Sequence, residues 1–555
     1  MVMKKITSIL LSGVMMLGCL SAVACGEEQM TDDGKTIDVK IIKSGYGTAW
    51  FEAIAEKFET LYAEEGYKVN LLTPSNAYKG ETVLTEMRNY KNEATADLYI
   101  VEGVYPEDVI DLEFGVCAEE LSDVYNNGAI NFDGTVSNVA IKDTEGGKLY
   151  NYMVTDPLDN TKFYSFQWHA SCSGLAVNQK VLRDYGIDTL PNTTDEMFEA
   201  YKAIYNGANG RDGSLESGIY PTTWGGENAA SYPYNTFVMN FAGMLGHDKW
   251  EDFFTLEGVR DDIANGYKFY NEVEAEMTAS LEAFVQYTDV MNSCVGSVTQ
   301  RHDMAQAQLI MGNAAFMSNG SYFYNEVKTN FSHYLPNMRF IPIPLVSEFG
   351  VTLKLDGTGS NRDKCDGILS YLCSCFDSGM NQTEMLAAVR EKYSDITFTE
   401  EQIQRVWEAR GTCGQNLQGQ AFIAKNSDVK DAASLLLRMM ASEDAANVCA
   451  EYGLPTSFAD TTVTEYAHQF VADAMGIRNR LNKGIFLYNN RGLRKELNLP
   501  IFGAFGTLTA EVVATIGVVD DITERDYGYW GEYFYDKIDE NISTNWSRYV
   551  SNAGY

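Results

Sequence analysis

Ile37-Asp38-Val39-Lys40-Ile41-Ile42, Tyr67-Lys68-Val69-Asn70-Leu71-Leu72 and Asp97-Leu98-Tyr99-Ile100-Val101 are the runs whose reading decides the fold. Each is short and rich in β-branched and aromatic residues, as strands are. Between the first two, the turn Ser44-Gly45-Tyr46-Gly47 leads into Phe51, Ile54, Ala55, Phe58, Leu61 and Tyr62 at helical spacing, with Thr48 placed as a cap. Between the second and third, Val83, Leu84 and Met87 share one helix face. Strand, helix, strand, helix, strand is the pattern of a parallel α/β sheet, whose ligands sit beyond the carboxyl ends of the strands.

Outward from there, a second unit begins near Trp168. Ser173-Gly174-Leu175-Ala176-Val177-Asn178 reads as a strand and turn, and Thr193-Thr194-Asp195-Glu196 as a capping box opening a helix that buries Met197, Tyr201 and Ile204. Met304 to Met311 is a helix stopped at Gly312. Ala314-Ala315-Phe316-Met317 is a strand, and Asn319-Gly320 a turn before another helix. Asp431 to Met440 and Glu443 to Glu451 are two amphipathic helices broken at Ser442, followed by Gly453-Leu454-Pro455-Thr456. Periodicity fails over Pro344 to Asp366 and Gly414 to Asp428, which read as loops.

The N-terminus carries its own signal. Lys4 and Lys5 precede an apolar stretch from Ile6 to Ala24, as in an export signal. That stretch closes on Ala22-Val23-Ala24-Cys25-Gly26, which resembles the bacterial lipobox, where the cysteine receives diacylglycerol and becomes the mature N-terminus. Met16-Leu17-Gly18-Cys19 is a second candidate, and an ordinary cleaved signal is the alternative to both. The polar run from Glu27 to Lys35 suits a tether. No later stretch reaches about 18 uninterrupted apolar residues, so no further span is expected.

Length and charge bound the rest. At roughly 150 residues per domain, 555 residues allow two to four domains, and 45% apolar residues can fill large cores. The formal charge is −35, from 77 acidic and 42 basic residues. Such a surface repels phosphate backbones, so nucleic acid is excluded as a partner. An anionic small ligand is disfavoured too, unless a local arginine overrides the field. Besides Cys19 and Cys25, the cysteines are Cys117, Cys172, Cys294, Cys365, Cys373, Cys375, Cys413 and Cys449, without CxxC spacing. They read as buried thiols or one or two disulfides, with a metal site around Cys365, Cys373 and Cys375 as the weaker alternative.

Catalytic patterns are thin. His169, His247, His302, His333 and His468 form no HExxH, and there is no GxSxG elbow or GxxxxGK phosphate loop. Gly45-Tyr46-Gly47 lacks the third glycine of a dinucleotide fingerprint. Asp356, Asn361 and Asp363 have spacing that could suit calcium but miss the closing Glu of an EF-hand, so a solvated loop is expected there. No cofactor and no metal are expected.

In their order these segments resemble the extracellular solute-binding proteins of bacterial ABC importers, in the large group dominated by carbohydrate binders. The matching pieces are the lipobox, Gly45-Tyr46-Gly47-Thr48-Ala49-Trp50, Ala96-Asp97-Leu98-Tyr99-Ile100, Ser173 to Asn178, the helix start Thr193 to Met197 and Trp224-Gly225-Gly226. Gly312-Asn313-Ala314-Ala315-Phe316-Met317-Ser318-Asn319-Gly320, the helices around Ala441-Ser442-Glu443, and Leu454-Pro455 complete the set. Val351 to Glu400 has no counterpart in the pattern. The resemblance implies a type II periplasmic-binding-protein-like α/β fold, two discontinuous lobes joined by a hinge with the ligand in the cleft. Residues 1–24 would be the lipoprotein signal and 25–35 the tether. Lobe 1 would take 36–166 and about 303–340, and lobe 2 about 167–302 and 341–555, with crossings near Phe166, Phe340 and Pro455. It also implies a non-enzymatic, monomeric, lipid-anchored protein on the outer face of the cytoplasmic membrane, or periplasmic if an outer membrane is present. Its partners would be permease subunits of an ABC transporter and a sugar or oligosaccharide ligand.

Sugars present CH faces and many hydroxyls, so their sites pair aromatic rings with amides and carboxylates in a concave cleft. The residues placed after strands or at crossings are Tyr46, Trp50, Glu102, Trp168, Trp224, Gly225, Asn319 and Tyr322. Trp224 followed by two glycines is the foremost candidate, because glycine lets backbone approach a ligand closely. Each ring also fits a purely structural role at a helix start or core. A peptide or polyamine ligand, and a surface-anchored glycosidase needing only two carboxylates, are the alternative readings.

Overall fold

The computed structural model describes residues 30–31, 33–89, 95–110, 115–156, 159–209, 218–227, 232–250, 267–268, 271–294, 296–416, 419–481, 483–486, 504–519 and 521–552. The signal segment, Cys19 and Cys25 lie outside them.

The opening runs form the expected sheet. Thr36–Ile41 pairs in parallel with both Lys68–Leu71 and Leu98–Glu102. The helix Ala49–Leu61 covers the sheet with Phe51, Ile54 and Phe58, which its periodicity marked, and with Trp50, which it did not. Two later pieces finish this five-stranded sheet, in the order Lys68–Leu71, Thr36–Ile41, Leu98–Glu102, Gly419–Ile423, Phe166–Gln167. Gly419–Ile423 runs antiparallel to both its neighbours. The helices Lys430–Met440 and Glu443–Glu451 pack into the same core through Leu436, Leu437, Met440, Ala445 and Cys449.

A second sheet is organised on Ser171–Asn178, which is buried along nearly its whole length. One edge of it pairs antiparallel with Ala314–Gly320, and Tyr220–Thr222 lies beyond that strand. The other edge is shared: Met338–Ile341 takes its C-terminal half and Thr412–Asn416 its start, with Lys483–Phe486 outermost.

The lobes are thus discontinuous, but their division differs from the expectation. Residues 303–340 belong with the second lobe, because Ala314–Gly320 is hydrogen-bonded to Ser171–Asn178. Conversely, Gly419–Ile423 and the two helices after it belong with the first. There is no crossing near Phe340, which stays in the second sheet opposite Ala176. The chain returns to the first lobe between Asn416 and Gly419 and leaves it again between Glu451 and Gln469. Phe166–Gln167 lies in the first sheet and Ser171–Asn178 in the second. Single-strand pairing was invisible to periodicity, which reads the face of a strand and not its neighbour.

Both stretches read as loops carry structure. Gly414 to Asp428 contains most of Thr412–Asn416 and all of Gly419–Ile423. Beyond Pro344, the chain builds the helices Glu348–Thr352, Arg362–Asp377, Gln382–Lys392 and Glu400–Arg410. This insertion has its own core of Leu355, Ile368, Leu372, Met385, Val389, Phe398, Ile403 and Val406. Asn381 with Glu384 and Thr399 with Gln402 form reciprocal capping boxes that start its last two helices. Asp356 closes a turn by accepting the N–H groups of Thr358, Gly359 and Asn361. Cys117, Cys172, Cys294, Cys365, Cys373, Cys375, Cys413 and Cys449 are buried free thiols. Among the described residues no cluster of His, Cys, Asp and Glu could hold a metal, and no helix is long and apolar enough to cross a membrane.

The C-terminal helix Tyr527–Asn552 docks on Glu274–Thr288 with Phe534, Ile538, Ile542 and Trp546 in the second-lobe core. A buried polar knot fixes its entry. Arg525 Nε donates to Asp289 Oδ2 at 2.8 Å, and the Tyr527 hydroxyl donates to the same oxygen at 2.9 Å. Removing one partner strands the other charge in apolar surroundings. We therefore expect Asp289→Ala to cost about 3–5 kcal/mol of stability, read as a lowered urea midpoint; a loss under about 1 kcal/mol would show the knot to be dispensable.

Candidate functional site

The carboxyl ends of the first-sheet strands face the loops of the second lobe, and aromatic rings meet there. Tyr46 sits in the turn after Thr36–Ile41, a turn made by Gly47 at φ +67° and the hydrogen bond Gly47 N–H to Ser44 O. The Tyr46 hydroxyl shares a 2.9 Å hydrogen bond with Ser321 Oγ, which comes from the end of the second-lobe strand Ala314–Gly320. Its ring meets Tyr322 edge-on at 6.1 Å. Gly45 lies so close to the second lobe that an added Cβ would stand 3.1 Å from the Glu326 carboxylate and 3.3 Å from Tyr322. The lobes touch at this edge.

From Tyr46 the rings continue in both directions. Toward the first lobe, His169 lies 5.8 Å from Tyr46 and 4.2 Å from Trp168, and Trp168 stacks on Trp50 at 5.2 Å with an interplanar angle of 6°. Toward the second lobe, the hydroxyls of Tyr322 and Tyr232 are hydrogen-bonded to each other. Tyr232 stacks on His302 at 4.6 Å. Polar side chains flank this end: Asn319 Nδ2 lies 3.5 Å from His302 Nε2, and Gln306 Nε2 donates to Glu326 Oε2 at 2.6 Å. The belt therefore runs from Trp50 in one lobe to His302 in the other.

Not every expected residue presents a surface. Trp224 is 1% exposed, packed among second-lobe core residues, and its indole N–H donates to Ser293 Oγ at 3.0 Å. Its two glycines serve the backbone of their own lobe: a Cβ on Gly225 would stand 2.6 Å from His302 Cα, and one on Gly226 2.1 Å from the Val298 carbonyl. The close approach read from Trp-Gly-Gly is present, but protein fills it. Trp50 and Trp168 are likewise buried, with indole N–H groups spent on the carbonyls of Gly47 and Val101. They are the stacked base of the belt. Asn319 is buried at the end of a strand that runs through Gly320, where the sequence suggested a turn.

Glu102 ends the strand Leu98–Glu102 and is half-buried, its backbone bridged to Lys79. Burial raises its carboxyl pKa, and the Lys79 charge opposes that shift. His169, Tyr232, His302, Gln306 and Glu326 were passed over in the sequence. Tyr232 stood in a proline-flanked turn shortly after Trp-Gly-Gly, and Glu326 one helical turn beyond Tyr322, so spacing held a signal for both. His169 beside Trp168 carried none.

His169 is the most confined member. It is 2% exposed, neither ring nitrogen has a hydrogen-bond partner, and burial alone pulls its pKa down to about 3. The folded protein holds it neutral, whereas the unfolded chain protonates it near the ordinary value of about 6.5. Because the unfolded state then binds more protons, stability falls as pH drops below that value and continues to fall toward the folded pKa. From this residue alone the loss should reach ~2 kcal/mol at pH 5. His302, held at about 4 by burial, acts in the same direction. Urea titrations at pH 7 and pH 5 should show a smaller difference for His169→Gln than for the wild type; equal differences would mean that His169 is not held neutral. In the same assay Trp224→Ala should lose about 3–5 kcal/mol, the signature of a core ring.

No family model matches the chain, and no curated protein matches it in sequence. Solved structures do. The maltose-bound MalE3 of T. maritima superposes with a TM-score of 0.51 at 15% identity, over 92% of this chain and 99% of that one. RafE of Streptococcus pneumoniae gives 0.52 at 14%, over 92% and 100%. The bacterial solute receptor AcbH, described as having an exclusive preference for β-D-galactopyranose, gives 0.50 at 12%, over 91% and 100%. The chain has the type II fold of these binding proteins across nearly its whole length.

Proposed function

We propose that this protein captures a sugar or oligosaccharide between its lobes and delivers it to the permease of an ABC importer, without converting it. The observation that carries the reading is the ring belt that crosses from one lobe to the other through Tyr46 and Tyr322. A pyranose offers two apolar faces edged by hydroxyls, and this edge offers tyrosine rings next to Ser321, Asn319, Gln306 and Glu326. Closure brings both lobes onto one ligand, so binding and hinge motion are coupled. The fold shared with a maltose-bound protein and a galactopyranose receptor supports the ligand class. The absence of a motif for covalent or metal chemistry in the sequence supports binding without turnover. The basic start, apolar run and Ala22-Val23-Ala24-Cys25 junction support export and lipid anchoring at Cys25.

A thermal-shift screen with mono- and oligosaccharides tests the reading, since a ligand bound only by the folded state raises Tm. Tyr46→Ala and Tyr322→Ala should each weaken the best sugar by ~1–3 kcal/mol, about one to two powers of ten in Kd, and Tyr46→Ala, which removes a buried ring, should also lower the apo Tm. Stabilisation by no sugar at all, or sugar affinity unchanged in both variants, would overturn the site. Chromatography of the ligand after hours with the protein should recover it intact. Cys25→Ala should move the protein from the membrane to the soluble fraction.

A further inference from the structure

One carboxylate at the junction of the lobes has no cation to balance it. Glu326 lies on the helix Phe323–Phe331, one turn after Tyr322. Its Oε2 accepts the Gln306 N–H at 2.6 Å. Its Oε1 stands against the first lobe, where a Cβ on Gly45 would lie 3.1 Å from it. Burial is the main reason that the Tyr46 and Tyr322 phenols are pushed above their ordinary range, and the Glu326 charge raises both further. That effect through space places the carboxylate beside both rings.

Nothing positive answers this charge. Among the described residues no lysine or arginine pairs with Glu326 or acts on it through space; burial raises its carboxyl and the Gln306 hydrogen bond opposes that shift. His302, whose ring lies 3.3 Å from the Gln306 amide, is held neutral by burial, with a pKa of about 4. The other polar groups of this edge, on Ser321, Asn319, Tyr46, Tyr232 and Tyr322, are uncharged. Glu326 is nonetheless exposed, so a ligand between the lobes can reach it.

A ligand that closes over this carboxylate takes it out of water, and a buried charge is costly unless an opposite charge accompanies it. A sugar hydroxyl brings a hydrogen bond alone. An ammonium brings the hydrogen bond and the opposite charge together, and such charge-assisted bonds are about twice as strong as neutral ones. The rings select in the same direction, because the face of a tyrosine attracts a cation within about 6 Å of its centre. A net charge of −35 also draws cations toward the cleft and turns anions away. We propose that the ligand held between the lobes is a saccharide bearing a free ammonium group, an amino sugar, and that Glu326 with the rings of Tyr46 and Tyr322 forms the subsite that receives this group. The inference rests on the sugar reading of the same cleft and narrows it to a cationic class.

Titration calorimetry with three oligosaccharides of one backbone and equal length tests it: β-1,4-linked glucosamine, N-acetylglucosamine and glucose, at about pH 6, where a primary amine is charged. The glucosamine oligomer should bind about tenfold more tightly than the other two, and added salt should weaken it and not them. Glu326→Gln keeps the shape of the side chain and one acceptor oxygen, and it should erase the difference. Equal affinity for the three oligomers in the wild type, or a preference for glucosamine that persists in Glu326→Gln, overturns the inference while the sugar reading stands. Spermidine, an ammonium without a sugar, separates the two in the other direction. Spermidine bound with no oligosaccharide bound overturns the sugar reading and makes the subsite one for a polyamine. Binding of none of the four overturns both. Should the variant fail to fold, the three-ligand series and its salt dependence in the wild type decide alone.

Discussion

Everything at the junction of the lobes depends on Gly419 having no side chain. Its carbonyl accepts the Trp168 N–H at 3.2 Å, and a Cβ on it would stand 2.1 Å from the His169 ring and 2.9 Å from the Trp168 indole. Two crossing segments of chain therefore lie backbone against ring. That contact sets the height of Trp168, which stacks on Trp50, and of His169, which backs Tyr46. Any larger residue would separate the segments by the thickness of a methyl group and shift the rings with them. The belt is thus a property of the hinge as much as of the cleft.

Much of this was legible in the sequence because it is local. Helix boundaries such as Glu443–Glu451 and the stop at Gly312 follow from spacing and from a glycine at φ +86°. The parallel sheet followed from the alternation of its first elements. Lobe membership was not legible, because it rests on which strand lies next to which. Ala314–Gly320 and Gly419–Ile423 are both short, apolar and fully buried. Nothing in either run says which sheet it joins. The insertion was missed for a different reason. Its longest helix, Arg362–Asp377, does bury Cys365, Ile368, Leu369, Leu372 and Phe376 at helical spacing, but its start overlaps the stretch read as a loop and nothing local says that the four helices share one small core.

The candidate site shows the same division. Aromatic residues after strands were found, since strand ends can be read; their exposure could not be. Trp224 illustrates the difference. A tryptophan beside two glycines signals close approach in either case, and only packing decides whether ligand or backbone fills the space. Here Ser293 takes its indole N–H and His302 lies against Gly225. Charge composition was similarly blind to placement. The strongly acidic total argued against anions, yet it averages over a surface and says nothing about a buried arginine such as Arg410.

The belt's polar atoms are already bonded to one another, once across the lobes and twice within the second, and this constrains how a ligand could be chosen. Tyr46 is bonded to Ser321, Tyr232 to Tyr322, and Gln306 to Glu326. A ligand hydroxyl entering here exchanges one hydrogen bond for another, so each exchange contributes little net free energy, whereas a ligand that breaks a pair without replacing it leaves a buried group unsatisfied at about 1–3 kcal/mol. Affinity must then come chiefly from ring faces covered by apolar CH surface. Discrimination comes from hydroxyl positions that match or fail the existing pairs. Because the Tyr46–Ser321 bond itself joins the lobes, a ligand that replaces it must also take over part of the work of holding them together. Selectivity and closure at this site are therefore the same physical event, read once at the hydroxyls and once at the hinge.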